Sequence, residues 1–97
     1  MVFDVSKISG IGSFNTKKEK ERTLFLVGEK VFLVENKNTL EMRCDGKLAK
    51  LLCAQYETVM ESRYFGRGGI EIVVSKQLEK TELEDLIRLS YNLSAEN

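Results

Sequence analysis

Few residues in this 97-residue chain have the types and spacing that catalysis or metal binding requires. The sequence contains no histidine, so it lacks the commonest general base and the commonest neutral metal ligand. Its two cysteines, Cys44 and Cys53, do not form a CxxC pair, and a zinc site needs about four nitrogen or sulfur ligands. We expect both cysteines to be structural, apolar residues of the core. The sequence therefore predicts no metal site.

Carboxylates are a second possible source of chemistry. Those near predicted elements are Asp45, Glu57, Glu61 and Glu71. Two carboxylates can share acid–base work when a cleft holds them together, but nothing in these spacings requires it, and capping or surface roles are favoured. A serine or threonine nucleophile would need a base, which without histidine must be a desolvated lysine. We therefore expect no catalytic residue, no cofactor and a non-enzymatic protein.

The basic residues best placed to contact phosphate precede the first predicted strand. They are Lys17, Lys18, Lys20 and Arg22. Glu19 and Glu21 lie between them, and such a mixed run is typical of a solvated loop or of the exposed approach to a strand. The alternative is a phosphate-binding patch. Fifteen basic residues balance fifteen acidic ones, so the chain has no net field that would attract polyanions.

The glycine-rich stretch 64–69 is a second candidate for nucleic-acid contact. Arg67 lies between glycines close to Tyr64 and Phe65, so it could meet a phosphate while an aromatic ring stacks on a base. The favoured alternative is structural: the glycines supply positive φ for a tight turn into a strand, and the aromatic rings cover the core. If the protein binds nucleic acid, the basic candidates should converge on one face. These candidates are Lys17, Lys18, Lys20, Arg22 and Arg67.

The elements that would position these residues follow from the apolar patterning. Residues 22–44 predict an antiparallel meander of three strands, with a tight turn of type II′ or a related type at Gly28-Glu29 and a second turn at residues 36–38. A helix over residues 45–60, beginning at Asp45 as cap, is followed by a fourth strand over residues 69–75.

A final helix over residues 81–94 is predicted to begin with a Thr81-x-x-Glu84 capping box. The element order predicts an α+β fold, in which an antiparallel sheet (a three-stranded meander plus a fourth strand) is covered on one face by helices. Residues 1–97 are long enough for one domain. Residues 1–21 form a divergent N-terminal segment. Its residues 2–14 carry too many apolar side chains for a free tail, so we expect a short helix or extended segment packed on the sheet. No apolar run approaches the roughly 20 residues of a membrane span, and no signal peptide is visible, so we expect a cytoplasmic protein with no membrane partner.

Five segments in order resemble the MmcQ/YjbR family, which is grouped with the TfoX N-terminal domain. Ile8-Ser9-Gly10 is similar to the family's Leu-Pro-Gly, and residues 24–34 are similar to its hairpin around "VGGKMFAL". Residues 40–45 resemble "LSLKCDP", residues 48–59 resemble the "ELAEELRERYPGV" helix, and residues 86–91 resemble "LIDxSY". The chain is therefore identified as a divergent relative of this family, and the resemblance implies a YjbR-like fold.

Two departures affect what the resemblance implies. The family's N-terminal helix of a dozen or more residues is shortened here, since seven residues precede Ile8. The family's Asn-Lys-x-x-Trp segment is replaced by residues 66–70. The family's DNA-binding label, which rests largely on fold resemblance, implies a small module that binds nucleic acid. The alternative is a protein-interaction or homodimerisation module, because loss of the helix would leave an apolar patch exposed near the N-terminal segment.

Overall fold

The computed structural model describes residues 4–74 and 78–96. A 3₁₀ helix, Val5–Lys7, precedes the regular elements. The strands are β1 (Asn15–Lys18), β2 (Thr23–Val27), β3 (Lys30–Glu35), β4 (Thr39–Arg43), β5 (Val59–Ser62) and β6 (Gly66–Val73). The helices are α1 (Gly46–Gln55) and α2 (Lys80–Ala95). No helix in the described part of the chain is long and apolar enough to span a membrane.

The strands form one antiparallel sheet in the order β1-β2-β3-β4-β6-β5. The α+β class is confirmed. The predicted meander corresponds to strands β2, β3 and β4 of this sheet, and the Gly28-Glu29 turn joins β2 to β3. The predicted fourth strand is β6, which begins three residues earlier than expected and ends at Val73; residue 75 of that prediction lies outside the described residues.

Two strands were missed because their sequences lack the pattern of a half-buried strand. All four residues of β1, Asn-Thr-Lys-Lys, are exposed, so β1 is part of the sheet through its backbone pairing with β2. β5 falls in a region predicted to be partly helical. The helix predicted over residues 45–60 is wrong at its C-terminal end: α1 stops at Gln55, and Val59 enters the core as a strand residue paired with Ile72.

Neither predicted helix cap has its expected bonds. Asp45 occupies the N-cap position of α1, but its side chain makes no capping hydrogen bond. The Thr81-x-x-Glu84 capping box is not formed, because α2 begins one residue earlier at Lys80, with Glu79 as N-cap and no side-chain capping bond. Both helices are therefore held by packing of their apolar faces rather than by their first turns.

Both helices pack on one face of the sheet. Leu40 and Met42 of β4 and Ile70 and Ile72 of β6 point into this main core, together with apolar residues of α1 and α2. A bulge in the β2–β3 pairing, where Phe25 faces Leu33 but Leu26 faces Val31, leaves Phe32 as an extra residue. Its consequence is that consecutive residues, Phe32 and Leu33, both lie in the main core, fully buried.

A buried hydroxyl joins α2 to the sheet. The Arg43 N–H donates to Ser90 Oγ (2.8 Å), and Ser90 Oγ donates to the Phe32 carbonyl (2.6 Å). The β3–β4 pairing ends at Leu33 and Met42, one residue short of these backbone groups. Ser90 therefore takes the place of a strand-to-strand hydrogen bond and fixes where α2 sits on the sheet.

Residues 4–14 pack on the core, as predicted for residues 2–14 over their described part. Val5 and Ile8 are buried, and Ile11 and Phe14 pack against the main core. α2 holds the segment through the Tyr91 hydroxyl, which donates to the Ser13 carbonyl (3.1 Å), and through a hydrogen bond from Arg88 to the Ser9 carbonyl.

Adjacent glycines of the 64–69 stretch are expected to respond differently to substitution. A Cβ at Gly69 would lie 2.6 Å from the Met42 carbonyl oxygen and 2.6 Å from Phe65 Cβ, whereas a Cβ at Gly68 would meet its nearest atom, the Phe65 carbonyl oxygen, at 3.7 Å. We expect Gly69→Ala to lower the free energy of unfolding by about 1–3 kcal/mol or more, since the Met42 backbone in β4 and the Phe65 side chain must move away from the new methyl group. Urea unfolding measures the change. Gly68→Ala is the matched control and should stay within about 0.5 kcal/mol of the parent; equal losses in both variants would contradict the close packing at Gly69.

Candidate functional site

The sheet face opposite the helices carries a small apolar cluster and two buried carboxylates. Leu24, Val31 and Val34 form the buried part of the cluster, with Leu26 and Phe65 packed against it. In the next two strands the row formed by Leu24 and Val34 continues with Glu41 of β4 and Glu71 of β6, which are direct cross-strand partners. Each of these glutamates is only 2% exposed. Like charges directly opposite each other destabilise a sheet unless other groups compensate them.

Hydrogen-bond donors surround Glu41. Its Oε1 accepts from Ser62 Oγ (2.8 Å) and from the Tyr64 N–H (2.9 Å), and its Oε2 accepts from Asn36 Nδ2 (2.8 Å). The Ser62 hydroxyl also accepts from the Tyr64 and Phe65 N–H groups at 3.1 and 2.9 Å. The Glu41 carboxylate thereby fixes the turn between β5 and β6 against the sheet.

Glu71 is held by a charged partner. Arg63 donates to it through two nitrogens, Nε to Oε1 at 3.0 Å and Nη2 to Oε2 at 2.7 Å. Thr39 Oγ1 adds a third bond to Oε2 at 2.8 Å, and Asn36 Nδ2 links Thr39 to Glu41. The hydrogen bond from Arg63 is the largest cause that lowers the pKa of Glu71 below its ordinary value, against the opposing effect of burial. Glu71 is therefore a carboxylate held in its ionised form.

The turn between β5 and β6 presents an aromatic side chain at the surface. Tyr64 is 39% exposed, and its ring packs edge-to-face on Phe65, with centroids 4.8 Å apart. The Arg22 guanidinium lies 5.1 Å from the centroid of the Tyr64 ring, a cation–π distance. Arg22 Nε also donates to Glu19 Oε1 at 2.6 Å, a bond that raises the pKa of Arg22. On the inner side of the turn, the Arg43 guanidinium lies 4.9 Å from the Phe65 centroid.

A wide cleft opens at the end of the sheet beside Tyr64 and Arg22. It is lined by residues 18–23, by residues 35–39, and by Glu41, Arg63 and Tyr64, and has a volume of about 1490 Å³. We call it the charged cleft. Its basic side chains are Lys18, Lys20, Arg22, Lys37 and Arg63, and its acidic ones are Glu19, Glu21, Glu35 and Glu41. The three lysines are exposed, while Arg22 and Arg63 are paired with Glu19 and Glu71.

The structure brings three of the five basic candidates together. Lys18, Lys20 and Arg22 line the charged cleft, with Glu19 and Glu21 between them. Lys17 is exposed on β1, paired with Leu24, and does not line the cleft. Arg67 also lies away from the cleft. It comes two residues before Gly69, which pairs with Arg43 at the C-terminal end of β4, whereas the cleft lies at the other end of β4, beside Thr39.

The sequence interpretation missed Lys37 and Arg63. Lys37 is in a turn between two strands, where a lysine carries no signal of its own, and Arg63 falls between the predicted helix (residues 45–60) and the predicted fourth strand (residues 69–75). Tyr64 was considered as a partner of Arg67, but its ring lies against Arg22, a residue 42 positions earlier in the chain. Predicting a strand at residues 59–62 would have indicated that the Tyr64 turn lies over the sheet, because pairing of this strand with β6 brings the turn between them back to the sheet.

The other predicted features are located as follows. Cys44 is buried, Cys53 is half-buried and both are free thiols; burial raises the pKa of Cys44 to about 11. Over residues 4–74 and 78–96, no group of three or more Cys, Asp or Glu side chains is placed to hold a metal ion. Of the described large apolar residues, the exposed ones are Leu51, Met60, Tyr64 and Val74. None of these four belongs to the N-terminal segment, where an exposed patch was expected.

In comparisons with known proteins, no family model matches the chain, and no curated protein or solved structure matches it. The resemblance to the MmcQ/YjbR family therefore stays a prediction from the sequence.

The ion pair between Arg63 and Glu71 gives a stability prediction with a defined pH dependence. We expect Arg63→Met to lower the free energy of unfolding at pH 7 by about 1–3 kcal/mol, because Glu71 keeps its burial and loses its charged partner. The loss should lie toward the lower end, since the Arg63 side chain is 77% exposed. Urea unfolding at several pH values provides the measurement.

The sign of the pH dependence follows from the lowered pKa of Glu71 in the folded parent. Its contribution is present above the ordinary carboxyl pKa near 4.5 and is lost as pH falls through the lower folded value. The difference between the parent and Arg63→Met should therefore shrink below pH 4.5. Arg67→Met, at an exposed arginine away from the carboxylates, is the control and should show no such trend. A difference independent of pH would exclude the ion pair as its cause.

Proposed function

We propose that this protein is a non-enzymatic binding module whose charged cleft binds nucleic acid through its phosphates. The observation that supports this most is the meeting of basic side chains from three parts of the chain: the end of β1 and the connection that follows it (Lys18, Lys20), the β3–β4 connection (Lys37) and the β5–β6 connection (Arg63). An exposed aromatic ring, that of Tyr64, lies on the same cleft. Cations with an aromatic ring are the combination that nucleic-acid-binding grooves use.

The balance of charge makes this a weak, salt-sensitive interaction. Five basic and four acidic side chains line the cleft, and two of the basic ones already have carboxylate partners. Lys18, Lys20 and Lys37 are left to neutralise about three phosphates, which gives a slope of log K against log salt of about −2 for a single strand. The DNA-binding label of the MmcQ/YjbR family, which the sequence resembles, supports the same proposal, and the cytoplasm is where we expect it to act.

The non-enzymatic part of the proposal rests on the two buried carboxylates. Acid–base catalysis needs a carboxylate that can reach a substrate and exchange a proton. Glu41 accepts three hydrogen bonds from within the protein, and Glu71 accepts two from Arg63 and one from Thr39. Both carboxylates thus have a sufficient structural role in fixing the turn that carries Tyr64.

The alternative, a protein-interaction or homodimerisation module, is favoured by one observation. β5 is the last strand in the order of the sheet, and Met60 on this strand is 43% exposed. An apolar strand at a sheet edge can pair with a strand of another chain. This surface is separate from the charged cleft, which Met60 does not line.

The nucleic-acid proposal predicts that charge reversal within the cleft abolishes binding. We expect the double variant Lys18→Glu/Lys20→Glu to lose binding to a fluorescein-labelled ten-nucleotide strand at 50 mM salt, measured by fluorescence anisotropy. The matched control is Lys47→Glu/Lys50→Glu, which changes the net charge equally at two exposed positions on α1, on the other side of the sheet. This control should bind within about threefold of the parent.

Two further results bear on the proposal. Lys17→Glu and Arg67→Glu lie outside the cleft and should weaken binding less than Lys37→Glu does. An equal loss in the cleft and α1 double variants would mean that net charge alone controls binding. No binding by the parent at 50 mM salt would exclude nucleic acid as the ligand.

The alternative is tested by molar mass. We expect light scattering at 100 μM protein to give the monomer mass of 11.1 kDa. A mass near twice that value, returned to the monomer value by Met60→Lys and not by the cleft variant, would favour self-association through β5.

A further inference from the structure

Tyr64 and Arg22 of the charged cleft are held in place by contacts within the protein. The backbone of Tyr64 is fixed by its N–H bond to the buried Glu41, and its ring packs edge-to-face on Phe65. The Arg22 guanidinium lies over the ring and is itself fixed by Glu19. An aromatic side chain that is 39% exposed and already ordered loses little conformational entropy when a flat ligand packs against it.

Cations suited to a phosphate backbone surround this pair. Lys18 ends β1, Lys20 lies in the same connection as Arg22, and Lys37 lies in the turn between β3 and β4. All three lysines are exposed. Bases that stack on aromatic rings or guanidinium planes, with lysines following the backbone, are the usual arrangement in single-strand-binding proteins.

The placement of the helices argues against reading a duplex. A major groove accepts a protruding helix or a two-stranded ribbon. Here α1 and α2 pack on the opposite face of the sheet, and the connection between β1 and β2 is held against Tyr64 by Arg22. The exposed Tyr64 ring lines the cleft, where it can stack on an unpaired base, whereas the bases of a double helix are already stacked on one another.

We propose, on the basis of the proposed nucleic-acid function, that the charged cleft selects single-stranded nucleic acid, with one base stacked against the Tyr64–Arg22 pair and the neighbouring phosphates held by Lys18, Lys20 and Lys37. The site belongs to the face that the helices leave open, and its specificity is for an unpaired base and not for a sequence.

The test compares three polyanions on the folded protein at 50 mM salt: labelled dT10, a ten-base-pair duplex and inorganic polyphosphate, the last as a competitor. We expect dT10 to bind most tightly. Tyr64→Leu should weaken dT10 binding by about 5- to 150-fold, the range for loss of one stacked base, without changing its salt dependence. Tyr64→Phe keeps the ring and should bind within about threefold of the parent.

Tyrosine fluorescence provides a second measurement that does not depend on Tyr64→Leu being folded. The chain has three tyrosines and no tryptophan, so its intrinsic emission is that of tyrosine. Unlabelled dT10 should quench this emission in the parent and in the control Tyr56→Phe, whose ring lies on the other side of the sheet, and not in Tyr64→Phe. Quenching that persists in Tyr64→Phe overturns the stacking proposal.

Loss of single-strand selection and loss of polyanion binding give different results. Equal or tighter binding of the duplex or of polyphosphate, with Tyr64→Leu unaffected, leaves a polyanion-binding cleft and removes single-strand selection. No binding to any of the three polyanions removes both.

Discussion

The open face of this sheet is organised around two carboxylates that the strand register places side by side. Glu41 and Glu71 are cross-strand partners, each 2% exposed, and two buried like charges at that spacing are unfavourable unless donors surround them. The chain supplies those donors from Asn36 and Thr39, where the turn between β3 and β4 leads into β4, and from Ser62 and Tyr64, where β5 leads into its turn to β6. The conformation of both turns is therefore tied to the charge on the carboxylates.

The hydrogen bonds to Glu41 and Glu71 also determine which side chains are exposed on this face of the sheet. Because Glu41 binds the Tyr64 N–H and Glu71 binds Arg63, the turn between β5 and β6 lies across the sheet with its aromatic side chain outward. Arg22 then packs on that ring and brings its connection with it. The buried carboxylates thus fix the turn that carries Tyr64, while the exposed lysines Lys18, Lys20 and Lys37 line the cleft beside it.

The fold could be predicted from sequence where burial is periodic, and the site could be predicted only for its basic residues Lys18, Lys20 and Arg22. The residues of β2 to β4 are alternately or continuously apolar, so the sequence predicts the meander. β1 has no buried residue and therefore no apolar pattern. Val59 of β5 has the spacing of the apolar residues of the preceding helix, so the sequence predicts it as part of that helix. Glu41 and Glu71 alternate with apolar neighbours as solvent-facing residues do, so nothing in the local sequence reveals their burial. Their pairing depends on register between β4 and β6, which only the assembled sheet determines.

The hydroxyl of Ser90 has a consequence for how the assembly opens. Because this side chain stands between the Arg43 N–H and the Phe32 carbonyl, the last rung between β3 and β4 is completed by a helix and not by a strand. The amide hydrogen of Arg43 is therefore shielded from solvent exchange only while α2 is docked, whereas its neighbours in β4 are shielded by the sheet itself. The exchange rate of this single amide reports the undocking of the C-terminal helix separately from the melting of the sheet.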